Sequence, residues 1–234
     1  MIQITNLQKA YAGITVLDIT DLKIEKGEVF GLVGNNGAGK TTLFSLILDL
    51  IRATKGKVII NEIPVAKSEE WKAITGAYID ESFTIGYLTP DEYFNFIGEL
   101  RGMNANDIAG FLANFNEFFN DEILGKKKFI RDLSKGNQKK VGVVGAFMGN
   151  PELVVLDEPF ANLDPTSQFK LRKIIKDFAA RDGKTLLISS HDLNHVTEVC
   201  KRIVVLEKGN IINDKETNEN TLKELEAYFA VHAD

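Results

Sequence analysis

The stretch GNNGAGKTT, residues 34–42, decides the fold of this 234-residue chain. It fits the pattern G-x-x-x-x-G-K-S/T, in which glycines let backbone N–H groups turn inward around phosphate groups. A predicted buried strand at residues 28–33 precedes it, and apolar residues at helical spacing follow it over 42–51. Because a glycine loop at a helix N-terminus favours anions, the stretch predicts a site for a nucleoside triphosphate with magnesium.

The side chains of this loop have distinct expected roles. We expect the Lys40 ammonium group to reach the terminal phosphates and take part in catalysis. The Thr41 hydroxyl is expected to ligate magnesium, and Thr42 to add a phosphate hydrogen bond. The rest of the predicted phosphate site consists of Gly34, Asn35, Asn36, Gly37, Ala38 and Gly39.

Two carboxylates follow another predicted buried strand, in the run LVVLDE at 153–158. Strand ends are where ligands sit in open α/β sheets. We expect Asp157 to hold magnesium, partly through water, and Glu158 to orient or polarise the attacking water. The alternative is a strand end that only turns at Glu158 and Pro159, but the phosphate loop upstream favours the functional interpretation. An aspartate and a glutamate together indicate hydrolysis and not binding alone.

The composition limits the class of protein. A hydrophobic content of 44% is enough for one well-packed unit, and a net charge of -5 weakly disfavours nucleic acid as the main partner. The single cysteine, Cys200, rules out an internal disulfide and fits a reducing compartment. The first residues do not resemble a signal peptide, and no apolar run reaches the roughly 18 residues of a membrane span. Another chain would therefore supply any membrane span.

The apolar pattern predicts an α/β core interrupted by helices. Strands are expected at residues 2–5, 16–24, 57–60, 153–156, 185–188 and 203–206, and helices at 168–180 and 221–229. Between 89 and 149 the spacing is helical. We therefore predict one domain, 1–234, with a core formed by 1–88 and 150–234 and a helical subdomain at 89–149.

Four phenylalanines in the helical segment have two interpretations. They fall on one face of a predicted helix, at positions Phe111, Phe115, Phe118 and Phe119. Core packing is the favoured interpretation. The alternative is that some of these rings line a docking groove, and we take residues 90–119 as the candidate docking surface.

The motifs in this order resemble the ATP-binding-cassette (ABC) ATPase subunits, over essentially the whole chain. The most diagnostic piece is LSKGNQ, residues 133–138, which is similar to the family signature LSGGQ. The resemblance implies an α/β P-loop NTPase of ABC type: a mixed core sheet flanked by helices, an antiparallel β subdomain and an inserted helical subdomain. It also implies ATP and Mg²⁺ as cofactors.

The resemblance assigns roles to residues on both sides of the nucleotide. Tyr11 lies where the family stacks an aromatic ring on adenine, with Val16 beside it. The alternative for Tyr11 is an ordinary half-buried tyrosine at a strand end. Asp164, in ANLD, resembles the acidic residue of the family's D-loop.

The SHD stretch at 190–192 resembles the family's switch region, which implies a catalytic His191 near the γ-phosphate. The alternative is a zinc-type helix face formed by His191, His195 and Glu198. It is disfavoured because no third strong ligand cluster lies nearby in sequence.

In this family two cassettes dimerise head to tail, with each ATP between one phosphate loop and the other subunit's signature. The resemblance therefore implies that Ser134 and Gly136 bind the partner's ATP, with Asn137 in the place of the signature glutamine. Two further positions depart from the pattern. Lys135 replaces a signature glycine, and Lys140 replaces the usual arginine.

The lid glutamine of the family is the weakest match. Its position aligns to Glu81, with Asp80 as the other candidate. An acid there would still ligate magnesium or orient water.

A basic cluster surrounds the signature. It is usual for such a cluster to be a solvated face, and the alternative is attraction for phosphates or acidic lipid headgroups. Its members are Lys126, Lys127, Lys128, Arg131, Lys135, Lys139 and Lys140.

By resemblance we expect an ATP-hydrolysing transporter subunit, cytoplasmic and peripheral at the inner face of the cell membrane. Its partners would be a second cassette, in a homodimer or heterodimer, and an integral membrane permease, with no nucleic acid. The LSKG variant and the absence of a long C-terminal extension resemble the ABC-2 type export subgroup. The alternatives are a soluble ABC ATPase, disfavoured by the short stretch between phosphate loop and signature, and a non-hydrolysing regulator, disfavoured by Glu158 and His191.

Overall fold

The computed structural model describes residues 1–231 as two sheets with helices around them. The strands are β1 (Ile2–Tyr11), β2 (Ile14–Ile24), β3 (Val29–Val33), β4 (Lys55–Ile60), β5 (Ile63–Pro64), β6 (Thr75–Tyr78), β7 (Leu153–Leu156), β8 (Thr185–Ser190), β9 (Arg202–Glu207) and β10 (Asn210–Glu216). The helices are α1 (Lys40–Ile47), α2 (Pro90–Leu100), α3 (Ala105–Ala113), α4 (Asn116–Phe119), α5 (Lys135–Phe147), α6 (Pro165–Ala179), α7 (Leu193–Val199) and α8 (Thr221–Val231). Short 3₁₀ turns occupy Glu70–Ile74, Glu81–Phe83 and Ile130–Asp132.

The larger sheet has the strand order β10-β9-β3-β8-β7-β6. Strands β6, β7, β8, β3 and β9 are parallel to their neighbours, and only β10 pairs antiparallel, at the edge. Every residue of β3, β7 and β8 is buried, as is typical of parallel strands covered on both faces. The carboxyl ends of β3 and β7 lie at the same edge, which brings the phosphate loop beside the acidic pair.

The smaller sheet, β2-β1-β4-β5, is antiparallel and packs its apolar side chains into a second core. The predicted strand at residues 2–5 was too short, because β1 continues to Tyr11. Asn6 takes a left-handed conformation (φ 48°) and the register shifts between Lys9 and Ala10. These irregularities interrupt the alternation of apolar residues without ending the strand.

Two helix boundaries differ from those expected. Helix α1 ends at Ile47 and not near residue 51, and Asp49 follows in a left-handed conformation (φ 51°). Helix α6 begins at Pro165 and not at 168, because the Asp164 carboxylate caps it by accepting from the Ser167 N–H at 2.9 Å. Aspartate followed by proline is a helix-start signal that the apolar spacing alone did not include.

The four phenylalanines do not lie on one continuous helix, so that prediction was wrong. Helix α3 ends at Ala113, and Phe115 precedes the short α4. Their core role is nevertheless confirmed for Phe115, Phe118 and Phe119, which are buried, while Phe111 is half-buried with its ring 4.9 Å from that of Phe115.

Helix α5 approaches strand β6 very closely. A Cβ on Gly142 would lie 2.1 Å from the Tyr78 ring, and one on Gly76 would lie 1.8 Å from the Ala146 carbonyl oxygen. Glycines at these two positions therefore let α5, which begins in the LSKGN stretch, lie directly on β6, the strand that leads to Glu81. Across residues 1–231, no helix is both long and apolar enough to cross a membrane.

Candidate nucleotide site

A pocket of about 330 Å³ lies on the phosphate loop. The structure brings Tyr11 and Val16, distant in sequence, to its wall. Tyr11 is 50% exposed, so its ring is available as a surface for a flat base, and the Lys9 ammonium group lies 4.6 Å from its centre. The other lining residues are Asn36, Gly37, Ala38, Gly39, Lys40, Thr41, Thr42 and Glu158.

The backbone of the loop needs its glycines. Gly37 and Gly39 have positive φ angles of 81° and 108°, and a Cβ on Gly34 would lie 2.3 Å from the Leu206 carbonyl oxygen. Lys40 is buried, and its Nζ donates to the Gly34 carbonyl at 2.7 Å. The ammonium group is thus held inside the curve of the loop, where phosphates are expected.

Thr41 and Asp157 form the predicted metal pair. The Thr41 hydroxyl donates to Asp157 Oδ2 at 2.5 Å, and the Ser189 hydroxyl donates to Oδ1 of the same carboxylate. Burial raises the pKa of Asp157, and these two hydrogen bonds partly offset that effect. A hydroxyl and a carboxylate side by side fit Mg²⁺, which prefers hard oxygen ligands.

Glu158 lies between two predicted catalytic side chains. Its Oε2 is 2.9 Å from His191 Nδ1, and its Oε1 is 3.4 Å from Lys40 Nζ. Within residues 1–231, that buried Oε1 has no hydrogen-bond partner. Glu158 has a φ of 47° although it precedes Pro159. A non-glycine residue in this region costs about 1–3 kcal/mol, and such strain clusters at functional sites.

The signature residues line a separate pocket of about 520 Å³. Ser134 caps α5 by accepting from the Asn137 N–H at 3.2 Å. A Cβ on Gly136 would lie 2.8 Å from the Asn162 carbonyl oxygen, so only glycine fits beside the D-loop segment. Asp164 lines the same pocket, which shares no lining residue with the phosphate-loop pocket. The predicted nucleotide-binding residues of one chain therefore fall into two groups.

The family model described as ABC transporter matches residues 17–161. The chain belongs to the ABC transporter family. It is an ATP-binding protein of that family, with the ABC-type α/β fold.

Similar proteins and solved structures agree with this assignment. The uncharacterized ABC transporter ATP-binding protein MJ1023 of Methanocaldococcus jannaschii is 35% identical, over 91% of this chain and 76% of that protein. The lantibiotic transport ATP-binding protein SrtF of Streptococcus pyogenes is 31% identical, over 92% and 91%. A solved ATP-binding subunit of an ABC transporter has a TM-score of 0.82 at 25% identity, over 97% of this chain and 93% of that chain. The dimeric ATP-binding cassette MJ0796, bound to ADP and Pi, shares the fold at 22% identity, with a TM-score of 0.81 over 93% and 99%.

Two departures from the ABC pattern contact each other. Lys135 Nζ of the signature lies 3.2 Å from Glu81 Oε1 of the lid. A hydrogen bond from its own backbone and the Lys135 ammonium group hold the pKa of Glu81 below its usual range. In the described part of the chain, no hydrogen bond or ion pair joins Glu81 to Thr41 or Asp157. Glu81 as a magnesium ligand thus stays a prediction. The Asp80 carboxylate, the other lid candidate, accepts from the Ser82 N–H.

The solvated-face interpretation of the basic cluster is wrong for two of its lysines. Lys139 and Lys140 are buried, at 7% and 4% exposure, and burial lowers the pKa of both. Lys139 Nζ donates to the Glu158 carbonyl at 2.7 Å, and Lys140 Nζ lies 5.5 Å from the centre of the Phe118 ring. The signal for their burial was the run VGVV that follows them at 141–144. The rest of the cluster is exposed, as expected: Lys126, Lys127, Lys128, Arg131 and Lys135.

The zinc alternative is not supported. His195 is buried, stacks on Phe160 at 4.4 Å between ring centres, and has its Nδ1 2.9 Å from Arg172 Nη1. Burial lowers the pKa of His195. Among residues 1–231, no group of three histidine, cysteine or acidic side chains is placed to hold a metal.

Proposed function

We propose that this chain hydrolyses Mg²⁺-bound ATP and powers substrate movement through a separate membrane subunit. The observation that carries the proposal is the position of the Glu158 carboxylate, 3.4 Å from Lys40 and 2.9 Å from His191. Both neighbours are residues that would contact the terminal phosphates. A carboxylate at that point supports a general base for hydrolysis over a binding-only regulator.

The residues divide the chemistry between them. Backbone N–H groups of the loop and the N-terminus of α1 bind the phosphates, and Lys40 turns from the Gly34 carbonyl toward them. Thr41 and Asp157 would hold Mg²⁺, which supplies neutralisation of phosphate charge. Glu158 orients the attacking water and takes up its proton, and His191 holds the carboxylate in place. Tyr11 and Val16 flank the base.

One chain carries only half of each proposed site. The phosphate loop binds its own ATP, and the separate signature pocket would bind the ATP of a second cassette through Ser134, Gly136 and Asn137. The N-terminal end of α5 would direct its partial positive charge toward the γ-phosphate. The dimeric form of a cassette with this fold supports such a pair. Each ATP then bridges two chains, and hydrolysis lets them part.

The names of two relatives support transport. SrtF is a lantibiotic transport ATP-binding protein, and the bacitracin transport ATP-binding protein BcrA of Enterococcus faecalis is 29% identical, over 94% of this chain and 70% of that protein. Together with the LSKG variant, they favour export and a position at the cytoplasmic face of a membrane. The partner would be an integral membrane permease, with no role for nucleic acid.

We assign permease docking to α2, within the predicted segment 90–119. Most of its phenylalanines are used by the core, but Phe96 and Leu100 are 43% and 68% exposed. They lie four residues apart, so they share one helix face. Exposed apolar side chains on one face are typical of an interaction surface.

A double variant with Phe96→Glu and Leu100→Glu should be released from its permease. We expect at least a tenfold loss of chain recovered with membranes of the source cells, because two charges would face an apolar interface. ATP binding by the purified chain should not change. Phe169→Glu is the matched control, since Phe169 is 62% exposed but lies on α6. Equal membrane recovery of the double variant and wild type would refute the assigned face.

The proposed hydrolysis is tested by phosphate release from ATP with the purified chain. Release should require Mg²⁺ and stop when EDTA removes it, because Thr41 and Asp157 would supply only ligands, and the positive charge that neutralises the phosphates comes from the ion. Bound ATP should be measured in the same samples. Binding without release, with or without the permease, would favour the regulator alternative.

A further inference from the structure

Lys139 is a buried lysine next to the proposed catalytic glutamate. It lies one helical turn after Lys135 on α5, with its Nζ 2.7 Å from the Glu158 carbonyl oxygen and 5.9 Å from the centre of the Tyr78 ring. Lysine is rarely this buried unless it is paired. Burial lowers the pKa of its ammonium group, and the charges of three nearby carboxylates partly offset that effect: Glu81, Glu158 and Asp157.

The backbone that Lys139 contacts is strained. Glu158 has a φ of 47° and precedes a proline, which disfavours helical conformations at the preceding residue. Such a conformation persists only when surrounding contacts hold it. Here the Glu158 N–H donates to the Ser189 hydroxyl at 3.0 Å, and its carbonyl accepts from Lys139 and, at 3.3 Å, from the Ala161 N–H. Lys139 is the only one of these partners that comes from α5.

We propose that Lys139 is a positioning residue for ATP hydrolysis, which holds the Glu158 carbonyl so that the carboxylate faces Lys40 and His191. The inference rests on the proposed function. It adds a connection between two parts of the site. The N-terminus of α5 carries Ser134 and Gly136, which would contact the partner's ATP, and the next turn of the same helix holds the catalytic glutamate of its own chain. Docking of the signature on the partner's nucleotide thereby affects Glu158 through one side chain.

The test compares Lys139→Met, which removes the donor to the Glu158 carbonyl, with Lys139→Arg, whose guanidinium N–H groups can still donate to it. The matched control is Lys184→Met. Lys184 is also 7% exposed and also donates to carbonyls, those of Asn150 at 2.7 Å and Pro151 at 2.8 Å, but it is remote from the nucleotide pocket. Lys139→Met should lower kcat by roughly 10²-fold, the effect of misplacing a reacting group, with the KM for ATP nearly unchanged. Lys139→Arg should recover most of kcat, and Lys184→Met should keep it.

Hydrogen–deuterium exchange of the nucleotide-free chain gives a readout that does not need turnover. Peptides covering 157–163 should exchange faster in Lys139→Met than in the wild type, Lys139→Arg or Lys184→Met. An unchanged kcat in Lys139→Met would overturn the inference, as would equal kcat losses in Lys139→Met and Lys184→Met. If the wild type releases no phosphate, the proposed function fails by itself. The exchange of 157–163 then decides alone whether Lys139 holds this segment, and equal exchange would overturn the inference.

Discussion

Glu158→Gln should reduce ATP turnover by roughly 10²–10⁴-fold, the usual effect of removing a general base. Glutamine keeps the size of the side chain and a hydrogen bond to His191, but its amide cannot take up a proton from water. Lys40, Thr41 and the loop backbone are unchanged, so ATP should still bind. Because the bridging nucleotide is not consumed, the variant should accumulate as an ATP-bound dimer.

This result is measured by phosphate release and by light scattering, each with Mg²⁺ and ATP. Glu152→Gln is the control. Glu152 directly precedes the N-terminal end of β7, and it pairs with Lys26 at 2.8 Å, outside the nucleotide pocket. Wild-type turnover in Glu158→Gln would contradict the assigned base. If Glu158→Gln loses turnover but stays monomeric in the presence of ATP, the result would agree with Glu158 as the general base but contradict ATP-driven dimerisation.

Two inactive variants should restore activity when mixed, if the two pockets of one chain serve different ATP molecules. Lys40→Ala removes the cation of the phosphate loop, and Gly136→Val adds a side chain where even a Cβ would lie 2.8 Å from the Asn162 carbonyl oxygen. Each variant alone damages both sites of a symmetric dimer. A mixed dimer has one doubly damaged site and one intact site.

Each variant alone should retain about 1% or less of wild-type turnover, as expected when a positioned charge or its binding partner is lost. An equal mixture should recover roughly one quarter of it, because half of the dimers are mixed and each has one intact site. Isolated Gly136→Val should still bind ATP, whereas Lys40→Ala should bind it weakly. A mixture with no more activity than its components would contradict head-to-tail sharing of the sites. A mixture of Lys40→Ala with Lys40→Met is the control and should stay inactive.

Local motifs were predictable from the sequence because their parts are neighbours along the chain. The phosphate loop needs only a strand, a run of glycines and a helix N-terminus, and all three fall within residues 29–47. The acidic pair needs only a buried strand followed by two carboxylates. The resemblance then implied which further residues belong to the site, and Tyr11 and Val16 do line its wall.

Tertiary structure alone decided the contacts that join distant segments. In the sequence, Lys139 is one of the seven members of the basic cluster around the signature. Only the packing of α5 on β6 makes it a buried donor to the Glu158 carbonyl. The pairing of Lys135 with Glu81 has the same origin, 54 residues apart along the chain. The sequence by itself determined which groups are predicted to bind phosphate and metal, because backbone geometry and side-chain chemistry act over a few residues. Which charges are buried, and which carbonyl each one holds, depended on the close approach of a helix and a strand at glycines, which no local pattern specifies.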